Sequence, residues 1–142
     1  MEILEKIKEK IEEIKKKRAE YNSWQNRYER LKNTEHNKKA RKNFEKILLK
    51  NSFGEELTEE KEAILFSQEI QRLFLKNPAA SKFPDFDEYE VHKTENTYIV
   101  KGFYDSTNSY GAQMRETYEY EFCKNGGEWN CITDFGAKTL KC

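Results

Sequence analysis

The chain has 142 residues, of which 37% are charged and 13% aromatic, a length that suits one ordinary domain. The aromatics supply apolar area that offsets ordering entropy, which argues against a disordered chain. No apolar run approaches the roughly 18 residues needed to cross a bilayer, and Met1-Glu2-Ile3-Leu4-Glu5 lacks the basic start and apolar core of a signal peptide. A cytoplasmic protein without membrane association is expected.

Net charge is zero, but it is unevenly spread. Residues 14–50 carry 13 Lys/Arg against 4 Glu, residues 51–142 carry 10 Lys/Arg against 17 Asp/Glu, and residues 1–13 carry 3 Lys against 5 Glu. The chain is therefore bipolar, with a basic middle and an acidic C-terminal part.

Residues 2–32 read as one long helix of about 45 Å. Leu4, Ile7, Ile11 and Ile14 recur at 3-4-3 spacing, and Tyr21, Trp24, Tyr28 and Leu31 repeat it, with Arg18 between the two sets. This is an amphipathic seam at coiled-coil spacing. A second helix is expected from Thr34, as N-cap, to about Lys50, burying Ala40, Phe44, Ile47 and Leu48. Gly54 is available for a left-handed cap after it. The two helices are read as an antiparallel hairpin in which each covers the other's stripe.

Thr58 caps a third helix, with Glu59 and Glu60 in a first turn that favours anions. Its Ala63, Ile64, Leu65, Phe66, Ile70, Leu73, Phe74 and Leu75 make it the most apolar helix, the one to pack on a sheet, and Asn77-Pro78 stops it. From Phe86 the period changes to two. A short strand is expected at Tyr89–His92 and a longer one at Tyr98–Tyr104. A third strand presents Met114, Glu116, Tyr118, Tyr120 and Phe122 on one face and Arg115, Thr117, Glu119 and Glu121 on the other. Asn125-Gly126 signals a two-residue hairpin that sets Phe122 opposite Trp129 and Tyr120 opposite Cys131. The tail after Asp134 is expected to be loose.

The expected fold is thus α+β: an N-terminal helical hairpin followed by one helix packed on a four-stranded antiparallel β-meander. The division is a helical, coiled-coil-like segment over residues 1–53 and an α+β domain over residues 54–142.

Within residues 62–133 three stretches share a pattern. They are Asn77-Pro78-Ala79-Ala80-Ser81-Lys82-Phe83-Pro84, Tyr98-Ile99-Val100-Lys101-Gly102-Phe103-Tyr104-Asp105, and Asn108-Ser109-Tyr110-Gly111-Ala112 followed by Arg115. The pattern resembles the small cystatin-like modules that end many uncharacterised proteins of bacteria and their phages. Those modules carry a proline-flanked turn after a helix and a V-x-G-x-V-D-x-x-N-x-F/Y-G-A-x-x-R run across two strands. Tyr104 stands where the pattern has Val. The resemblance implies a helix cradled by an antiparallel sheet, and it implies no activity. It covers nothing before about residue 60.

Candidate chemistry is sparse. Cys123, Cys131 and Cys142 lack metal-ligand spacing and are read as reduced thiols. His36 and His92 are too far apart in sequence to suggest a zinc or triad site. There is no phosphate-binding glycine loop and no nucleophile elbow. No carboxylate stands in an apolar context that would raise its pKa. No cofactor, metal or small-molecule substrate is indicated, and an enzyme is the least supported class.

Asp105, Asn108 and Arg115 form the most suggestive polar group, either a binding corner or, as favoured, an ion pair pinning a long turn with Asn108 left-handed. The tyrosines Tyr98, Tyr104, Tyr110, Tyr118 and Tyr120 fit core packing better than a pocket. Lys15, Lys16, Lys17 and Arg18, with Lys38, Lys39, Arg41 and Lys42, could bind phosphates, backed by Arg27, Arg30, Lys32 and Lys46. The favoured reading is a non-catalytic interaction protein. Ile7, Ile11, Ile14, Tyr21, Trp24, Tyr28 and Leu31 would form a surface for a protein partner or a second copy, with Trp24 and Tyr28 as anchors. The alternatives are a nucleic-acid-binding accessory protein and, from the phage-like resemblance, a mobile-element inhibitor of a host defence nuclease of the anti-CRISPR type.

Overall fold

The computed structural model describes residues 2–21, 23–50 and 57–134. Four helices come first: α1 (Glu2–Tyr21), α2 (Trp24–Leu31), α3 (Glu35–Leu49) and α4 (Glu59–Phe74). After 3-10 turns at Pro78–Ala80 and Phe86–Glu88 come β1 (Glu90–Lys93), β2 (Tyr98–Thr107), β3 (Gln113–Asn125) and β4 (Glu128–Cys131). The strands form one antiparallel sheet in the order β1-β2-β3-β4, a meander, so the fold is α+β with helices packed on it.

α4 is the centre of the molecule. Thr58 caps it by accepting the Lys61 N–H at 3.2 Å, and Glu59 and Glu60 occupy its first turn. Every residue from Ala63 to Gln71 is buried, because the sheet lies on one side and α3 on another. Phe66 links the layers edge-to-face, 5.8 Å from Phe44 of α3 and 5.4 Å from Phe122 of β3 between ring centroids. Ala40 and Phe44 belong to the same core as Tyr98, Val100, Tyr118, Tyr120 and Trp129, so one core runs across the division expected at residue 53. The stretch Asn51–Gly54, expected to end α3, and the tail beyond Asp134 lie outside the described residues.

The alternation expected for β3 is present: Tyr118, Tyr120 and Phe122 are buried, while Thr117 and Glu119 are exposed. The hairpin register differs from expectation by two residues. The turn is Gly126-Gly127, at φ +61 and +83, and Phe122 pairs with Cys131 and Lys124 with Trp129. Two glycines, with no Cβ, take two consecutive positive φ values without strain, and Gly126-Gly127 supplies both. A shift of two keeps the same residues on the apolar face.

One long helix over 2–32 is also not observed. Ser23 adopts an extended conformation (φ −62, ψ 155) and its Oγ accepts the Asn26 N–H at 3.5 Å, so a new helix begins at Trp24. Thr34 occupies the N-cap position of α3, as expected, but its side chain makes no capping bond. Its hydroxyl donates instead to the Leu31 carbonyl at 2.7 Å, closing the turn from α2. The helices then take different partners: α3 lies on α4 and beside β4, and α2 reaches β4. They do not cover each other's stripes.

The β4 edge is closed by one side chain. Asn37 is wholly buried. Its Oδ1 accepts the Cys131 N–H at 2.6 Å, and its Nδ2 donates to the carbonyls of Cys131 (3.0 Å) and Leu31 (2.9 Å). The amide thus substitutes for the missing next strand.

Candidate interaction site

α1 differs from every other element. All its side chains from Glu2 to Glu20 are exposed. Ile3 and Leu4 are 74% and 63% exposed, and Ile7, Ile11 and Ile14 are 48%, 46% and 51% exposed. The helix is supported by local chemistry: Glu2 and Glu5 in the first turn, Arg18 in the last, and the pairs Glu13–Lys17 at 3.4 Å and Glu12–Lys15 at 3.8 Å. It carries an apolar stripe with no cover among the described residues. Ile3, which extends the stripe, was absent from the expected set; its place four residues before Ile7 was the available signal.

The second half of the expected seam serves the protein's own fold. Leu31 is buried, 8% exposed, which corrects its expected place on an interaction surface. Trp24 and Tyr28 are half-buried; Trp24 lines a hollow with Glu59, Tyr98 and Lys124, and the Lys32 ammonium lies 5.5 Å from the Tyr28 ring centre. The side chain of Tyr21 lies outside the described residues. The cause is the break at Ser23, which turns α2 onto the sheet edge. There Arg27 Nη1 donates to Glu121 Oε1 at 2.5 Å and to the Ile132 carbonyl at 3.2 Å. Glu121 Oε2 also accepts from the Thr97 hydroxyl at 2.8 Å. Arg30 pairs with Asp134 at 2.5 Å.

The basic residues are therefore not one surface. Lys15, Lys16, Lys17 and Arg18 are exposed on α1, and Lys38, Lys39 and Lys42 on α3. Arg41, expected among the phosphate-binding residues, is half-buried and donates to the Lys32 carbonyl at 2.8 Å and to Asn130 Oδ1. Its guanidinium fastens α3 to β4.

At the far end of the β2–β3 hairpin, Arg115 donates to both oxygens of Asp105, at 2.8 and 3.1 Å, and lies 4.1 Å over the Phe103 ring centre. The Arg115 bond holds the Asp105 carboxyl below its ordinary pKa. Asn108 Oδ1 accepts the N–H groups of Tyr110 (2.9 Å) and Ala112 (3.0 Å). The left-handed conformation expected of Asn108 is not observed; Gly111, at φ +82, takes it instead. The asparagine works by its side chain, which leaves the positive φ to the residue without a Cβ. The Asp105 backbone is in turn bonded to Lys82 in both directions, at 2.8 and 2.9 Å, so the corner ties a loop to the sheet.

Of the tyrosines, Tyr98, Tyr118 and Tyr120 are buried, Tyr104 is half-buried and Tyr110 is 94% exposed. Their hydroxyls bond to α4: Tyr118 with Ser67 at 3.0 Å, Tyr120 to Gln71, and Tyr98 to Glu59, while Gln68 donates to Tyr89 at 2.9 Å. Burial, reinforced by Glu59, pushes the Tyr98 phenol up to about 12, and burial raises Tyr118 and Tyr120 as well. The expectation that no carboxylate has an apolar setting fails at Glu69 of α4. It is 4% exposed and paired with Arg72, and burial raises its pKa against the pull of that arginine. An open cleft of about 1270 Å³ runs along α4, bordered by Arg72, Phe83, Phe86 and Tyr89. Two of its polar groups are engaged: Arg72 with Glu69 and over Phe83, and Gln68 with Tyr89.

Among the described residues, no group of three or more His, Cys, Asp or Glu is placed to hold a metal ion, and no helix is long and apolar enough to cross a membrane. No protein-family model matches the chain, and no curated protein matches it.

Proposed function

We propose that this is a non-catalytic protein-interaction module in which a compact, cystatin-like α+β body presents α1 to another protein. The observation that carries the reading is the exposed stripe Ile3, Leu4, Ile7, Ile11 and Ile14, on a helix that none of the described residues cover. A contiguous apolar ridge on an otherwise charged surface marks a binding surface. The half-buried Trp24 and Tyr28 continue it at the junction with the body. The buried polar side chains around α4 support the same reading, since Ser67, Gln68, Glu69 and Gln71 bond to Tyr118, Tyr89, Arg72 and Tyr120. The test is capture from the native host by wild type and by the double variant Ile7→Asp/Ile11→Asp, with circular dichroism to verify that the body still folds. The reading requires a protein recovered by wild type and lost by the variant; an identical recovered set refutes it.

A nucleic-acid-binding role draws on the exposed run Lys15, Lys16, Lys17 and Arg18. It requires affinity for a labelled oligonucleotide that falls steeply with salt. No binding at low salt ends it.

A further inference from the structure

The residues beside the α1 stripe say what kind of partner it fits. At 3.6 residues per turn, Leu4, Ile7, Ile11 and Ile14 take the two core positions of successive heptads. The positions that flank such a core are then Lys8 and Lys15 on one side and Lys10 and Lys17 on the other. Glu2, Glu5, Glu9, Glu12, Glu13 and Glu20, every acidic residue of α1, lie on the opposite half of the helix, with Lys6 and Lys16 among them. The acidic and basic residues of α1 are nearly equal in number, so this segregation is a property of the pattern and not of the composition. Arg18 falls on the next core position, where the sequence alone suggested only a break.

We infer that α1 pairs with an acidic amphipathic helix of another protein, and that it does not pair with a second copy of itself. The inference rests on the interaction reading above and names its partner class. In a parallel pair of α1 helices, Lys10 of each strand faces Lys15 of the other, and Arg18 meets Arg18. In an antiparallel pair, Lys8 and Lys15 face their own counterparts, as do Lys10 and Lys17. Like charges at these positions oppose pairing in either orientation. A partner with glutamate or aspartate there turns every such contact favourable, and the guanidinium of Arg18 can take a carboxylate in a fork. Among the described residues Lys15 and Lys17 pair with Glu12 and Glu13, at 3.8 and 3.4 Å, with side chains 70% and 73% exposed, so they can exchange partners at little cost.

A lipid surface is the competing occupant of such a ridge, because lysines beside an apolar stripe can also reach phosphate. The stripe on α1 is narrow and built from isoleucine and leucine; Tyr21 is that helix's one aromatic residue, and Trp24 beyond it is half-buried against the body. The six glutamates of α1 nearly balance its seven Lys and Arg, which weakens attraction to anionic headgroups. Both features favour a helical partner.

The test uses the full chain and two synthetic helical peptides. They share a leucine/isoleucine core and differ only in carrying glutamate or lysine at every flanking position. Binding is read by fluorescence anisotropy at low and high salt, and the mass of the chain alone by light scattering. The chain alone should be monomeric. It should bind the glutamate peptide about tenfold or more tightly than the lysine peptide, since four flanking contacts change sign between them. High salt should narrow that preference. The variant Lys8→Glu/Lys10→Glu/Lys15→Glu/Lys17→Glu should reverse the preference, and Ile7→Asp/Ile11→Asp should bind neither peptide. A dimer of the chain alone, or equal affinity for both peptides, overturns the inference and leaves the interaction reading standing. Recruitment to vesicles of equal parts phosphatidylserine and phosphatidylcholine, with neither peptide bound, also overturns it. Unchanged peptide binding by Ile7→Asp/Ile11→Asp overturns the interaction reading itself.

Discussion

Replacing Asn37 with alanine tests how the sheet edge is held. The amide is wholly buried and makes three hydrogen bonds, two to the backbone of Cys131 and one to the carbonyl of Leu31. Alanine removes all three at once. At about 1 kcal/mol net per bond, with about 1–3 kcal/mol more because the Cys131 N–H and carbonyl stay buried without partners, the loss is about 4–6 kcal/mol. That is a large part of the roughly 5–15 kcal/mol by which a domain of this size is stable. In urea, with a slope of about 2 kcal/mol/M, the midpoint should fall by about 2–3 M. Asn37→Asp is the sharper control. It keeps an acceptor for the Cys131 N–H but turns acceptor oxygens toward two carbonyls, so it should be at least as damaging. Lys38→Ala, one residue away on the exposed side of α3, should stay within about 0.5 kcal/mol. A midpoint shift below about 0.5 M for Asn37→Ala, with unchanged slope, would show that the edge of β4 is held by something other than this side chain.

Gly102→Ala should cost about 1–3 kcal/mol, because the new Cβ would lie 2.5 Å from Tyr89 Cε1 and 3.0 Å from Tyr118 Cζ, and both rings are fixed in the core; a urea midpoint equal to that of wild type counts against this. Burial lifts the Cys131 thiol to about 12 and raises Cys123 as well, and both are buried. In a Cys142→Ser background neither should react with a thiol reagent until the protein unfolds, and rapid native labelling would contradict the packing. Burial favours the protonated form of Glu69, so its contribution to stability is full below its ordinary pKa and is lost as pH rises through the raised value. Glu69→Gln should remove that loss, and urea midpoints measured from pH 4 to 7 should fall more steeply with pH for wild type than for the variant; parallel profiles refute the assignment.

Where local chemistry and tertiary packing agree, the elements are legible in the sequence. α4 has a capping threonine, an acidic first turn and a proline shortly after its end, and its apolar face meets the sheet. In β3 the alternation of Tyr118, Tyr120 and Phe122 with polar neighbours survives because one face is covered. The α1–α2 break was hidden because the 3-4-3 spacing continues from Tyr21 through Leu31, and periodicity does not register a change of axis. Only the capping character of Ser23 marks it. The β3–β4 register was hidden for a related reason: shifts of two residues preserve the faces, so alternation cannot choose between the two glycine-containing turns. In three dimensions Lys124 lies opposite Trp129, with its ammonium 5.6 Å from the indole centre and 3.7 and 3.6 Å from Glu59 and Glu62. Asn37 and Glu69 carry no sequence signal. Their roles come from elements brought together by the fold: the turn after α2 and β4 for one, the interior around α4 for the other.

The bipolar charge takes on a different meaning once the arginines and lysines are separated. Arg27, Arg30 and Arg41 reach across to Glu121, Asp134 and Asn130 of the acidic part, so much of the basic middle is there to fasten α2 and α3 to the sheet. A guanidinium suits that task, since its fixed fork satisfies a carboxylate and a carbonyl together, as Arg27 does with Glu121 and Ile132. The flanks of the α1 stripe are lysines, whose flexible stems can lie along an apolar ridge while the ammonium remains hydrated. Most helical stability in proteins comes from tertiary packing, and among the described residues α1 has little of it. Pairs such as Glu13–Lys17 add only a few tenths of a kcal/mol each. Alone, α1 should therefore exchange between helix and coil while the body stays intact, and a partner that covers the stripe should raise the helical signal of the complex. That coupling gives the lysine flanks their selective effect: with so little intrinsic helix stability in reserve, a partner whose charges oppose pairing cannot be rescued by the apolar contacts of two heptads.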